Sequence, residues 1–167
     1  MSRPSADQAS VSRDAGGLYL LFSLDQDRYA LSVHEVVEVL PLRRLKAFPQ
    51  APAWVAGGFE HRGALVPVLD LLARACGRPA AALTSTRLVL VHYRPAKRIL
   101  GLILEKATDT LRLPASAFRD SGLGAGEAHY LGAVQDSVQG LVQRIEVAGL
   151  LPADVCALLF PDVGGPA

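Results

Sequence analysis

Short apolar runs recur along the chain in pairs, each pair divided by a polar or glycine-containing break. Two aromatic and aliphatic runs around such a break are the pattern of a β-hairpin. In the middle pair, Gly63 can take a positive φ without steric cost, which suits a tight turn. The last pair is apolar on both faces, as in strands buried within a closed barrel. The pairs are residues 18–24 with 29–33, 54–63 with 64–70, and 87–93 with 98–104.

Residues 34–40 fit two kinds of secondary structure. Their apolar positions match one face of a helix, whereas their β-branched side chains favour an extended chain. A short helix that leads into a strand would satisfy both. Pro41, Pro49 and Pro52 then limit residues 42–48 to a short edge strand bounded by loops.

Two short helices are predicted. Asp70 can accept hydrogen bonds from free backbone N–H groups and so cap a helix over residues 71–76, which Gly77 ends. In residues 146–160 the apolar positions return at near-helical spacing, with Pro152 either at the helix start or splitting the run. The second pattern predicts a C-terminal helix docked on the sheets.

The spacing of the predicted strands indicates the domain organisation. Many short strands at regular intervals indicate small barrels, so the fold class is mostly β. The small-residue loop 79–85 is the best candidate boundary between two strand-rich halves. Further strands are expected at 108–113, 129–135 and 141–145, with a loop at 121–126, a flexible lead-in at 1–16, a folded domain at 17–160 and a flexible tail at 161–167.

Composition narrows the classes of function. The chain has 167 residues, half of them hydrophobic, which is enough for one core or two small cores that share an interface. The net charge of +1 removes the electrostatic attraction that nucleic-acid binding needs. Without a leader-like h-region or a membrane-length apolar run, we expect a cytoplasmic protein with no direct membrane insertion. Cys76 and Cys156 are expected to be reduced and packed as small apolar groups.

Motifs for catalysis, metals or nucleotides do not emerge from the sequence. The four histidines stand apart without metal-ligand spacing, and no nucleophile elbow or phosphate-binding loop is present, so we expect no cofactor and no enzyme activity. What remains is a surplus of apolar residues, most of which should be core while some could line a partner-binding groove. These residues include Val36, Val39, Leu40, Trp54 and Phe59.

One segment, residues 29–72, contains the motif His61-Arg62-Gly63-Ala-Leu-Val-Pro67-Val-Leu-Asp70-Leu71. This motif looks like the signature LRG-x-(V/I)-x-P-(V/I)-(V/I)-D-L, so the segment resembles the CheW family of chemotaxis coupling proteins. The order of the later apolar blocks is also similar, so the resemblance covers roughly residues 17–155. Three departures are His61 in place of Leu, Glu105 in place of Asp, and Ala107 in place of Val.

The resemblance implies a fold and a function. The fold would be two packed five-stranded SH3-like β-barrels with short helices. The function would be that of a non-catalytic adaptor that bridges the cytoplasmic signalling tip of a chemoreceptor and the regulatory domain of a CheA-type histidine kinase. The residues that the resemblance places near the partner-binding surface are Val36, Glu38, Gly57 and Arg62.

Other interpretations stay open at this point. Glu38 and Arg62 could simply form a surface ion pair worth about 0 to 1 kcal/mol. The chain could instead be an adaptor of a divergent pathway, such as twitching motility or surface sensing. A small-ligand or enzymatic barrel with His61 or His129 as acid or base would require a deep pocket with converging polar groups, whereas an adaptor predicts a shallow apolar groove.

Overall fold

The computed structural model describes residues 17–114, 118, 130–137 and 140–161. Strands dominate these residues, joined by two short α-helices and three 3-10 turns. The strands are β1 (Gly17–Leu24), β2 (Asp27–Ser32), β3 (Val36–Leu40), β4 (Val55–His61), β5 (Ala64–Asp70), β6 (Arg87–Tyr93), β7 (Arg98–Leu113), β8 (Leu131–Ser137) and β9 (Gly140–Ile145). The helices are α1 (Leu71–Cys76) and α2 (Ala153–Leu159), and the 3-10 turns are Val33–Glu35, Arg94–Ala96 and Val147–Gly149.

Strand pairing forms two groups of five that share β7. The first group, here called barrel A, has the order β7-β1-β2-β9-β8. The second group, barrel B, has the order β3-β6-β7-β5-β4. Neighbouring strands are antiparallel except for the β2–β9 and β5–β7 pairs, which are parallel. All three predicted hairpins are present.

β7 differs from the prediction of two separate strands at 98–104 and 108–113. It is one strand of 16 residues, whose first part pairs with β5 and β6 and whose second part pairs with β1. Lys106, with a φ of 54°, lies where the strand changes barrels. A single left-handed residue lets a strand bend and change partners without ending, so the polar residues there mark a bend and not a loop.

The predicted boundary at 79–85 was wrong. β5 precedes this segment and β6 follows it, yet both pair with β7 in barrel B, so the segment is a loop within that barrel. Two carboxylates hold it: Asp70 accepts from the backbone N–H of Ala80 at 2.9 Å, and Glu105 accepts from that of Ala81 at 2.6 Å. Barrel A combines β1 and β2 from the start of the described chain with β7, β8 and β9 from its second half. Pairing between strands so far apart in sequence cannot be inferred from local composition.

Three apolar clusters account for the strands that are apolar on both faces. One cluster lies inside barrel A, one inside barrel B, and the largest lies between the barrels. On β6, Leu88 and Leu90 point into barrel B, whereas Val89 and Val91 belong to the central cluster. Each face of such a strand therefore packs against a different apolar cluster, so both faces are buried, as the sequence predicted.

The predicted helices and the mixed segment are confirmed. Asp70 caps α1 by accepting from the backbone N–H of Ala73 at 3.1 Å, and Gly77 ends the helix with a φ of 80°. The 3-10 turn Val33–Glu35 leads into β3, which reconciles the two patterns seen in that segment. Pro152 stands at the N-cap of α2.

The chain between β3 and β4 contributes a single bridge. Lys46 exchanges two backbone hydrogen bonds with Gly58, at 2.8 and 2.9 Å, and no strand forms among residues 42–48. This agrees with the prediction that the prolines allow at most a short edge strand there. This bridge brings residues 45–48, here called the crossing chain, alongside β4.

Some predictions concern residues that the structure does not describe. These are the segments 1–16, 121–126 and 162–167, and His129. Of the two thiols, which are both free, Cys156 is half-buried against the central cluster, but Cys76 is exposed at the end of α1, so its predicted packing was wrong. Within the described ranges, no helix has the length and apolar character to cross a membrane.

Candidate functional site

A two-residue turn between β4 and β5 positions Arg62. Arg62 and Gly63 both adopt positive φ, 54° and 83°, which is the backbone of a tight hairpin whose twist matches its strands. A non-glycine residue in this conformation is uncommon. It leaves the Arg62 side chain 77% exposed at one end of barrel B.

A bulge in β3 positions Glu38. Val36 pairs with Val91 and Glu38 pairs with Leu90, so Val37 is an extra residue with no partner across the ladder. A bulge re-aims the side chains next to it. As a result, Val37 and Glu38 both face the end of barrel B where the β4–β5 turn lies.

Glu38, His61 and Arg62 form a connected polar cluster at this end. Oε1 of Glu38 accepts a hydrogen bond from Nη2 of Arg62 at 3.3 Å and lies 3.1 Å from Nε2 of His61. The His61 ring packs edge-on against the Phe59 ring, with centroids 5.7 Å apart. Because Arg62 is mostly exposed, the ion pair adds only about 0 to 1 kcal/mol to stability. This ion pair is therefore not needed to hold the fold.

An open groove, here called the barrel-end groove, lies beside the polar cluster. Its volume is about 320 Å³, and Val66, Leu90 and Ile99 contribute apolar side chains to its lining. Val37 and Leu65 also line it, and they are 40% and 60% exposed. Exposed apolar side chains beside polar ones are typical of surfaces that bind other proteins.

The four residues predicted to bind partners do not all lie together. Glu38 and Arg62 meet in the polar cluster. Val36 is only partly exposed and packs against the central cluster. Gly57 is buried under the crossing chain, with a φ of 138°, and a Cβ there would clash with the carbonyl oxygen of Lys46. For Val36 and Gly57 the structure shows a packing role.

The apolar residues singled out from the sequence are mostly core. Leu40 and Phe59 are buried and Trp54 packs against the central cluster, so only Val39, at 45% exposure, is open to solvent. Sequence reasoning missed Val37 and Leu65. Leu65 stands in an unbroken apolar run that reads as fully buried, and the bulge that exposes Val37 leaves no sequence pattern.

The polar groups of this surface do not resemble a metal centre. Among the residues that the structure describes, no three His, Cys, Asp or Glu side chains come together in a way that could hold a metal ion. His61 contacts Glu38, and the groove beside them is open to solvent and has a largely apolar lining. Such a surface suits recognition of a partner better than the enclosure of a small substrate.

Comparison with protein families decides the assignment. Residues 18–155 match the family model of the CheW-like domain. The chain belongs to the CheW-like family. It is thus a CheW-type adaptor, and the family supports a non-catalytic scaffold, which confirms the resemblance seen in the sequence.

Several curated relatives extend this finding. The chain is 24% identical over 118 residues to the chemotaxis protein CheW of Klebsiella aerogenes, covering 68% of this chain and 70% of that protein. It is 31% identical over 97 residues to the chemotaxis protein CheW of Rhizobium meliloti, covering 58% and 61%. It is 29% identical over 121 residues to protein FrzA of Myxococcus xanthus, covering 71% and 74%.

A solved structure supports the fold. The scaffolding protein TtCheW from Thermoanaerobacter tengcongensis superimposes with a TM-score of 0.73 at 18% identity, over 84% of this chain and 90% of that one. The mostly β fold with two packed five-stranded SH3-like barrels is thereby confirmed.

Proposed function

We propose that this protein couples chemoreceptors to a CheA-type histidine kinase in bacterial chemosensory signalling. One partner is the cytoplasmic signalling tip of the receptor and the other is the regulatory domain of the kinase. Membership of the CheW-like family and relatives named as chemotaxis proteins support this function. The observation that carries it is the barrel-end groove, where Val37 and Leu65 are exposed beside the Glu38–Arg62 pair.

The two partners require two surfaces. In this proposal the barrel-end groove pairs with the kinase domain. A second groove of about 390 Å³ lies between the crossing chain and α2, is lined by Phe48, Leu158 and Leu159, and adjoins the barrel-end groove at Leu65. It suits the apolar face of a receptor helix. Simultaneous binding links receptor and kinase, so a conformational bias at one reaches the other as a coupling free energy. No covalent step takes place on the adaptor.

Isothermal titration of the chain with a CheA-type regulatory domain and with a receptor signalling tip tests the proposal. Glu38→Ala and Arg62→Ala should each weaken binding of the kinase domain about five-fold or more, since a charge at an interface rim or centre contributes that much. The matched control is Arg78→Ala. Arg78 also forms an exposed ion pair, with Asp25, but away from the groove.

Unchanged binding by the Glu38 and Arg62 variants, with the fold intact by circular dichroism, would remove these residues from the interface. Absence of binding of the unaltered protein to both partners would remove the proposed function itself. Equal losses in all three variants would indicate a general charge effect and would also count against the assigned surface.

A second candidate is an adaptor of a divergent pathway, such as twitching motility or surface sensing. The chain is also similar to protein FrzA of Myxococcus xanthus, a relative whose name does not state its pathway. Titration against kinase regulatory domains from both kinds of pathway separates the two candidates. A preference of ten-fold or more, about 1.4 kcal/mol, for one kind would assign the output.

A further inference from the structure

We propose that the end of barrel B is a basic docking surface that selects a protein face in which carboxylates surround apolar side chains. This inference rests on the proposed adaptor function and specifies the chemistry of one partner. It adds to the polar cluster a second element, the β6–β7 connection, here called the basic tip and defined by Arg94, Lys97 and Arg98.

The backbone holds the basic tip in place. β6 ends at Tyr93, the 3-10 turn Arg94–Ala96 follows, Lys97 takes a φ of 53°, and β7 begins at Arg98. Tyr93 and Ala96 are buried, at 2% and 4% exposure, and the Tyr93 ring stacks on Phe160 at 5.8 Å. The three cationic side chains are exposed. Because the turn is anchored on both sides, these side chains project from a backbone whose position is fixed.

The basic tip and the barrel-end groove form one continuous surface. A further groove of about 410 Å³ is lined by Tyr93 and by the basic tip. It shares Lys97, Arg98 and Ile99 with the barrel-end groove. Lys97 and Arg98 therefore stand between two grooves that both contain apolar lining, so a single partner can contact both.

Positive charge is concentrated on the surface formed by the two grooves. Its linings contain four cationic side chains, Arg62, Arg94, Lys97 and Arg98, against one carboxylate, that of Glu38. Glu35, 3.5 Å from Arg94, offsets part of this excess. The whole chain carries a net charge of only +1, so the local excess is balanced elsewhere. Charge complementarity thus favours an acidic partner.

The exposed apolar side chains decide between acidic partners. Val37 and Leu65, at 40% and 60% exposure, would gain nothing against a phosphate backbone, but they can be buried by the apolar side chains of a protein. Apolar side chains ringed by carboxylates match both features of the surface at once. The partner is therefore an acidic protein face and not a nucleic acid.

Peptide titration followed by amide chemical shifts tests the surface directly. The probes are a helical peptide with a leucine face flanked by glutamates, the same peptide with lysines in place of the glutamates, and a DNA duplex. The acidic peptide should shift the amides of residues 62–65 and 97–99, and 0.5 M NaCl should suppress the shifts. The lysine peptide should leave those amides unchanged.

Equal shifts with both peptides, shifts elsewhere, or no shifts would overturn the proposal. Stronger shifts with DNA than with the acidic peptide would assign the surface to nucleic acid and overturn it. If the same amides shift when the protein alone is diluted, the occupant is a second copy of the chain, and the proposal also fails.

A charge reversal tests the same surface with protein partners. Lys97→Glu should weaken binding of the kinase domain about three- to ten-fold at low salt, and the difference should shrink at high salt. Lys106→Glu is a closely matched control, because Lys106 is also an exposed lysine, with nearly the same φ of 54°, but it lies where β7 passes to barrel A.

Equal losses for Lys97→Glu and Lys106→Glu would overturn the proposal, as would unaltered binding by Lys97→Glu. Failure of the unaltered protein to bind either partner would defeat the coupling function instead. The peptide titration would then still decide whether the end of barrel B recognises an acidic protein face.

Discussion

At the scale of single residues, Gly57 meets a backbone requirement that other residue types satisfy only with strain. Its φ of 138° lies where side chains are rarely tolerated, and the crossing chain at Lys46 occupies the space that a Cβ would need. Gly63 has a positive φ of 83° but open space around it. A substitution at Gly63 would therefore cause backbone strain alone, whereas one at Gly57 would cause both backbone strain and a steric clash.

Gly57→Ala should lower the free energy of unfolding by about 3 kcal/mol, because strain and steric conflict add. Gly63→Ala should cost only about 1 kcal/mol, since strain acts alone. Urea denaturation followed by circular dichroism measures both. If Gly57→Ala is as stable as the unaltered protein yet fails to bind the kinase domain, Gly57 acts in recognition and not in packing.

At the scale of elements, β3 has two functions that its bulge separates. Val36, before the bulge, packs against the central cluster, whereas Val37 within it is 40% exposed. Glu38, immediately after it, reaches the polar cluster. Adjacent residues of one strand thus serve the fold and the candidate site.

Val36→Asp and Val37→Asp test this division with the same substitution at adjacent positions. Val36→Asp should destabilise the fold by about 3 kcal/mol or more, because it places a charge against an apolar core. Val37→Asp should change stability by about 0.5 kcal/mol or less and should weaken partner binding. Thermal unfolding with parallel titration gives both readouts, and the opposite ranking of stabilities would contradict this division of β3.

At the scale of the whole molecule, Arg74 joins the two barrels. Its guanidinium lies 4.7 Å from the ring centroid of Trp54, which precedes β4, and 5.0 Å from that of Tyr130, which precedes β8. Its Nε donates to the carbonyl of Leu150 at 3.3 Å. One side chain on α1 therefore contacts both barrels and the segment before α2.

Arg74→Ala should lower the free energy of unfolding by about 2 kcal/mol, since two cation–π contacts and one hydrogen bond disappear together. Arg74→Lys keeps the charge but loses the planar stacking and should recover only part of the loss. Denaturant unfolding is the measurement. A stability equal to that of the unaltered protein would mean that the central apolar cluster alone joins the barrels.

Alkaline unfolding should depend on Tyr93, which lies in the central cluster. Burial, with Cys156 close by and hydrogen-bonded to the hydroxyl, raises the pKa of Tyr93 to about 12. An unfolded tyrosine titrates near pH ~10. The folded state therefore holds the proton more tightly, so this stabilisation is complete below pH ~10 and is lost as pH rises towards 12.

The loss should amount to about 2 kcal/mol, and Tyr93→Phe should show a correspondingly shallower decline of stability between pH ~9.5 and ~11.5. Some decline should remain in the variant, because burial also raises the pKa of Tyr29 and of Tyr130. Equilibrium unfolding across this pH range measures the slopes. Identical slopes in both proteins would contradict the assigned pKa.

The candidate site was only partly accessible to sequence reasoning. Glu38 and Arg62 could be named from the resemblance, and their contact at 3.3 Å joins residues 24 positions apart. The exposure of Val37 and Leu65 could not be foreseen, because it depends on a bulge and on which strand ends remain uncovered. The basic tip was hidden in the same way, since Lys97 meets the groove only after β6 and β7 pair with the other strands.

The sequence by itself determined the local structure and the family of this protein. The hairpins and the short helix depend on contacts within a few residues, such as the turn at Gly63 and the helix cap at Asp70. Local sequence pattern is therefore sufficient to predict them. Only the tertiary structure decided how the barrels divide the chain, that β7 serves both, and which apolar side chains stay exposed. Those outcomes depend on pairings between distant segments, whose free energy arises from buried area and register that no short stretch of sequence contains.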